Sequence, residues 1–184
     1  MFGRAWRLLS VAVVALSLGA CIISSHDVGT ELKAEFPVKP GSYANKDGKI
    51  SEVRRVGNEY RIVNAKTREA SYARFYRTPE YAGYLFQFYD RKDKKVFYYF
   101  YATVTDDKIE FYDIDKLPTN LPEHIAKLLE EITADDRRYN TVHVKNAKRD
   151  TLYVIRELTR LNPNLMKLEK DAQERVQARV PAKN

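Results

Sequence analysis

From residue 41 onward the chain alternates apolar and polar positions in short runs separated by turn signals. Gly41 to Ala44, Lys49 to Val56, Glu59 to Ala65, Ala70 to Arg77, Glu80 to Asp90, Lys95 to Thr105 and Lys108 to Ile114 each read as a strand. Asp47-Gly48 and Gly57-Asn58 suit tight turns, because glycine adopts positive φ without a Cβ clash. Thr78-Pro79 breaks the fourth run, and the charged Arg91-Lys92-Asp93-Lys94 joins the two longest. No helical crossover fits between these runs, so they must pair antiparallel. Beyond Pro122 the period changes. Ile125, Leu128, Leu129 and Ile132 recur at i, i+3, i+4 and i+7, which predicts an amphipathic helix over Glu123 to Ile132. Thr141 to Lys145 reads as one more strand. Asp150 can cap a second helix whose stripe is Leu152, Ile155, Leu158 and Thr159. The expected fold is α+β: an antiparallel meander of about seven strands, a curved sheet or partial barrel, with two C-terminal helices packed on it.

The two longest strands carry the candidate site. Tyr84, Phe86 and Phe88 share one face of their strand, with Leu85, Gln87 and Tyr89 on the other. Tyr98, Phe100 and Ala102 share a face of the next strand, opposite Phe97, Tyr99 and Tyr101. Strands apolar on both faces are covered on both, which puts this pair at the centre of the sheet. Ten of the 13 tyrosines fall between Tyr60 and Tyr112. Tyr84, Phe86, Tyr98 and Phe100 therefore define a candidate ligand face, flanked by Arg74, Arg77, Arg91, Lys92 and Lys94, that could hold a sugar or an acyl chain with an anionic group. The plain alternative is that these rings fill a core.

The first twenty residues follow a different pattern. Arg4 and Arg7 precede an apolar run from Leu8 to Leu18, then the small Gly19 and Ala20, then Cys21, the only cysteine. Basic, apolar, small is the order of a secretory signal peptide, and the run is too short to span a bilayer. Leu18-Gly19-Ala20-Cys21 resembles the lipobox of bacterial lipoproteins. The resemblance implies diacylglycerol on the Cys21 sulfur, cleavage before Cys21, and a mature protein held at a membrane by its lipid. Ile22, rather than aspartate, follows the cysteine, which in the enterobacterial sorting pattern points to the outer membrane, with the domain facing the periplasm. On this reading residues 1–20 are the leader, 21–40 a lipidated tether, 41–165 one domain and 166–184 a charged tail.

Charge and chemistry narrow the rest. Losing residues 1–20 lowers the net charge from +7 to +5, a mild excess suited to an anionic lipid or glycan surface. Export makes nucleic acid an unsuitable partner. His26, His124 and His143 match no metal-ligand spacing, and no phosphate loop or nucleophile elbow is present. Asp113 and Asp115 share a strand face but have no further ligands nearby in sequence. No cofactor, metal or catalytic group is implied. The expected function is a non-catalytic interaction or assembly module at the membrane, contacting another envelope protein, peptidoglycan or lipopolysaccharide. The alternative is a calyx for a small apolar or amphipathic molecule.

Overall fold

Seven antiparallel strands run in sequence order, each hydrogen-bonded to the next: β3 (Gly41–Ala44), β4 (Ile50–Val56), β5 (Glu59–Asn64), β6 (Ala70–Thr78), β7 (Tyr81–Tyr89), β8 (Phe97–Val104) and β9 (Lys108–Tyr112). They lie where the alternating runs place them. Gly48 and Gly57 take φ of 70° and 62° in their turns, as expected of glycine there. The structure, a computed structural model, describes residues 22–45, 47–79, 81–90, 96–112, 120–130, 142–145, 147–161 and 176–180. The remaining strands are β1 (Ile22–Ser24), β2 (Ala34–Glu35), β10 (Val142–His143) and β11 (Val176–Arg179), with helices α1 (Glu123–Ala126) and α2 (Ala147–Leu161).

The sheet is more closed than a curved meander. β11 pairs antiparallel with both β3 and β9, setting Ala178 opposite Ala44 on one side and Lys108 on the other. β8 and β9 pair in turn, so β3 to β9 and β11 form a ring of eight strands. An eight-stranded ring encloses a space that side chains alone can fill. β11 comes from the expected tail, 166–184, of which residues 176–179 are thus part of the barrel wall.

The expected tether is folded as well. Ile22, 1% exposed, and Ser24 continue the β8 edge beyond the end of β9, pairing with Tyr99 and Phe97. β10 adds to β1 in parallel, with Ile22 opposite Val142. From there residues 26–40 cross the outside of the barrel as a strap. Val28 N–H donates to the Tyr99 hydroxyl on β8, Asp27 meets Gln87 on β7 and Arg74 on β6, and β2 pairs with β6. The strap then turns over one end of the barrel, where Val38 is buried and its backbone both donates to and accepts from the Tyr60 hydroxyl, at 3.0 and 2.9 Å.

Two cores result. Tyr43, Val53, Tyr60, Phe75, Phe86, Phe100 and Phe111 meet inside the barrel. Leu85, Tyr99, Tyr101 and Phe97 face outward and are covered by the strap and α2. The α2 stripe is the expected one: Leu152, Ile155, Leu158 and Thr159 are all buried, and Thr159 and the Ile155 carbonyl both bond the Tyr101 hydroxyl. Ser24 and Thr151 share a buried hydroxyl hydrogen bond at 2.6 Å. α1 is shorter than expected. It ends at Ala126 because Leu129 leaves the helix to bridge Val144 in the extension of β10.

Candidate functional site

Register brings the four candidate ligand residues together. Phe86 lies opposite Phe100, Phe88 opposite Tyr98 and Tyr84 opposite Ala102, so Tyr84, Phe86, Tyr98 and Phe100 do share a face. That face is the inside of the closed barrel. Phe86 and Phe100 are 3% and 2% exposed, Tyr84 is buried and Tyr98 half-buried. Their neighbours are one another and further rings: Phe86 lies 5.0 Å from Phe75, 4.9 Å from Phe111 and 6.3 Å from Phe100, centroid to centroid. Tyr84 meets Phe75 edge-on at 5.9 Å, in the geometry ring quadrupoles favour.

The end nearest Tyr84 is roofed. Val38 enters the inner core there. Arg55 stacks 3.6 Å over the Phe36 ring, and Arg77 lies 4.1 Å over Tyr84 while donating to its hydroxyl at 2.7 Å. Of the basic residues expected to flank the face, Arg77 does so and Arg74 points to the outside. Arg91, Lys92 and Lys94 lie outside the described residues, as do Cys21 with its leader, Asp113 and Asp115.

A second constellation, which the sequence reading missed, locks the strap to the barrel. Arg74 reaches Asp27 at 2.7 Å and Glu59 at 3.3 Å, and Tyr89 donates to the same Glu59 oxygen. Gln87, fully buried, accepts from the Tyr76 hydroxyl at 2.8 Å and donates to Asp27 at 2.9 Å and Tyr99 at 3.0 Å. The Gly29 N–H donates to Asp27 at 2.8 Å. Burial pushes the Asp27 carboxyl up, but the bonds from Gln87, Gly29 and Arg74 outweigh it and hold it below its ordinary 3.8. Burial likewise drives the Tyr76 phenol up to about 12. A carboxylate bonded in this way is a poor general base, because its lone pairs are engaged and its proton affinity is reduced. The arrangement is suited to fixing the strap. Gln87 and Tyr89 were legible as one face of their strand, but Arg74 was expected beside the opposite face, and their partner Asp27 lies in a segment that reads as linker.

His26 bonds Glu31 at 2.8 Å on the strap, His124 approaches Glu157 to 4.0 Å, and His143 sits on β10, so the three do not converge. Among the described residues no three His, Cys, Asp or Glu side chains are placed to hold a metal ion, and no helix is long and apolar enough to cross a membrane.

Comparison with protein families, curated proteins and solved structures returned no match.

Proposed function

We propose that this is a lipid-anchored protein of the bacterial cell envelope whose barrel acts as a non-catalytic interaction module. The observation that carries the module reading is the mutual packing of Phe75, Phe86, Phe100 and Phe111, which spends on the inner core the side chains a calyx would turn to its ligand. The Val38 plug and the Lys39–Asp106 ion pair at 2.8 Å support it by covering one end. The anchor reading rests on the lipobox-like Leu18-Gly19-Ala20-Cys21. Because β1 begins at Ile22, a lipid on Cys21 would hold the barrel against the bilayer with almost no slack. Two or more acyl chains give stable attachment without a spanning helix.

Intact mass measurement of the protein extracted from membranes tests both parts. The expected species begins at Cys21 and carries acyl mass, whereas Cys21→Ser leaves the membrane fraction and carries none. Under native conditions the expected mass is that of the acylated chain alone. A stoichiometric small molecule retained by the folded protein would replace the module with the calyx.

A further inference from the structure

Residues 34–40 lie on the barrel in the manner of a bound peptide. β5 pairs with β6 as far as Ala73, and β2 takes up the edge beyond, with Glu35 opposite Phe75 and Ala34 opposite Tyr76. Side chains at alternate positions are the anchors. Ala34 and Val38 are buried, and between them Phe36 lies 5.6 Å from the Tyr60 ring with Arg55 stacked on it. The ion pairs Glu35–Arg77 and Lys39–Asp106 join exposed side chains, and pairs of that kind hold weakly. Main-chain hydrogen bonds combined with sockets for alternate side chains are how a sheet edge receives an extended peptide.

At the mouth of the barrel the wall presents donors to this chain. Tyr60 donates to the Val38 carbonyl at 2.9 Å, Tyr43 to the Lys39 carbonyl at 2.7 Å and Arg179 to the Pro40 carbonyl at 3.3 Å, while the Val38 N–H donates back to Tyr60. Pro37 and Pro40 have no N–H to offer, so a mouth that reads carbonyls suits a proline-containing chain. Aromatic walls serve the same purpose, and Tyr60, Phe75 and Tyr84 pack edge to face there at 5.6 and 5.9 Å. The seat does not depend on its occupant. None of the pairings that close the eight-stranded ring involves β2, so a ring emptied of residues 34–40 keeps its walls. Asp27 fastens the other half of the strap by itself, and between the two attachments Thr30, Glu31 and Lys33 are exposed.

We propose that this mouth is a receptor for an extended, proline-containing segment of a second polypeptide, and that residues 34–40 occupy it in cis until that segment displaces them. The proposal names the partner class of the interaction module and rests on that reading. The partner's segment has the chemistry of the one it displaces: a small, an aromatic and a β-branched side chain at successive alternate positions, with proline between the last two, as in Ala34, Phe36, Pro37 and Val38. The cis copy runs directly into β3 at Gly41, which gives it a high effective concentration at the mouth. A free segment therefore binds strongly only where the cis copy is weakened.

The test is fluorescence anisotropy of a labelled peptide of residues 33–41 with the full-length protein in mild detergent. F36A/V38D weakens the cis copy and leaves the mouth intact, and it should bind the peptide at least about tenfold tighter than the wild type does. Tyr60→Phe in that background removes the hydroxyl that reads Val38 and should weaken binding about fivefold or more, and a scrambled peptide should not bind. Circular dichroism checks that the variant is folded. Should F36A/V38D not fold, Val38→Ala, a smaller lesion, should still tighten binding about threefold or more. No binding to a folded variant, equal binding to variant and wild type, binding that Tyr60→Phe or scrambling leaves unchanged, or a strap-exchanged dimer of this chain would overturn the proposal. Native mass measurement separates the two readings. A retained small molecule sinks the module, whereas a ligand-free barrel that ignores the peptide sinks the cis occupant alone.

Discussion

Phe86→Ala measures whether the barrel is filled. Phe86 sits midway along β7 with neighbours on both flanking strands, Phe75 on β6 and Phe100 on β8, and across the interior on β9 at Phe111. A phenylalanine buried to this degree removes roughly 150–250 Å² from water, worth about 4–6 kcal/mol at 25 cal/mol per Å². The ring of hydrogen-bonded strands fixes the circumference of the barrel, so the walls cannot collapse onto the gap, and the void term is retained. The expected loss is about 4 kcal/mol, a large share of the 5–15 kcal/mol that holds a domain together. That corresponds to a melting temperature lower by about 8–16 °C. Phe86→Leu, which keeps most of the volume, should cost about 1.5 kcal/mol or less. Urea unfolding of the full-length protein in mild detergent, followed by far-UV circular dichroism, gives both values if the slopes agree. A Phe86→Ala loss below about 1 kcal/mol at unchanged slope would mean that the interior is slack, and the argument from packing to function would fail with it.

Two further outcomes concern the strap. The native carboxyl of Asp27 titrates below its ordinary 3.8, so its contribution is fully present above that value and is lost as pH falls through the lower, native one. Hydrogen-exchange protection at Val28 and Gly29 should therefore fall only below pH 3.8 in the wild type, whereas Asp27→Asn should lack it already at pH 6. Equal protection in the two proteins at pH 6 would show that the carboxylate does not hold the strap. Gly29→Ala should cost about 1–3 kcal/mol in the same urea assay, because a Cβ there would meet the Tyr76 hydroxyl at 2.6 Å and Arg74 Nη1 at 2.8 Å. A loss under about 0.5 kcal/mol would show that the strap can lift without penalty.

The meander could be read almost residue by residue because its strands carry their own punctuation: period-two alternation within, and Asp47-Gly48 or Gly57-Asn58 between. The face shared by Tyr84, Phe86, Tyr98 and Phe100 followed from the same alternation. What that face encloses did not follow, since it depends on closure, and closure depends on β11. Residues 176–179, Val-Gln-Ala-Arg in a highly charged stretch, have no pattern that names them a strand. They become one because β3 and β9 each offer an unpaired edge, and that tertiary demand overrides a weak local preference. β1 was hidden for another reason. Ile22 and Ile23 extend the apolar run of the leader and read as its end, although Ile22 also fits against Val142 and Tyr99. The helix predicted over Glu123 to Ile132 overran because Leu129 satisfies both a helical stripe and a bridge to Val144.

The cylinder is fastened by a clasp drawn from more than sixty residues beyond its seventh stave. While a nascent polypeptide lengthens, its hairpins can zip as they emerge, yet the two rims destined for the clasp stay bare until residues 176–179 arrive. Each bare rim is a row of amide and carbonyl groups ready to recruit a stranger's backbone. The hazardous interval therefore runs from the emergence of β9 to that of β11, and any escort this molecule uses would be needed longest by its first and seventh staves.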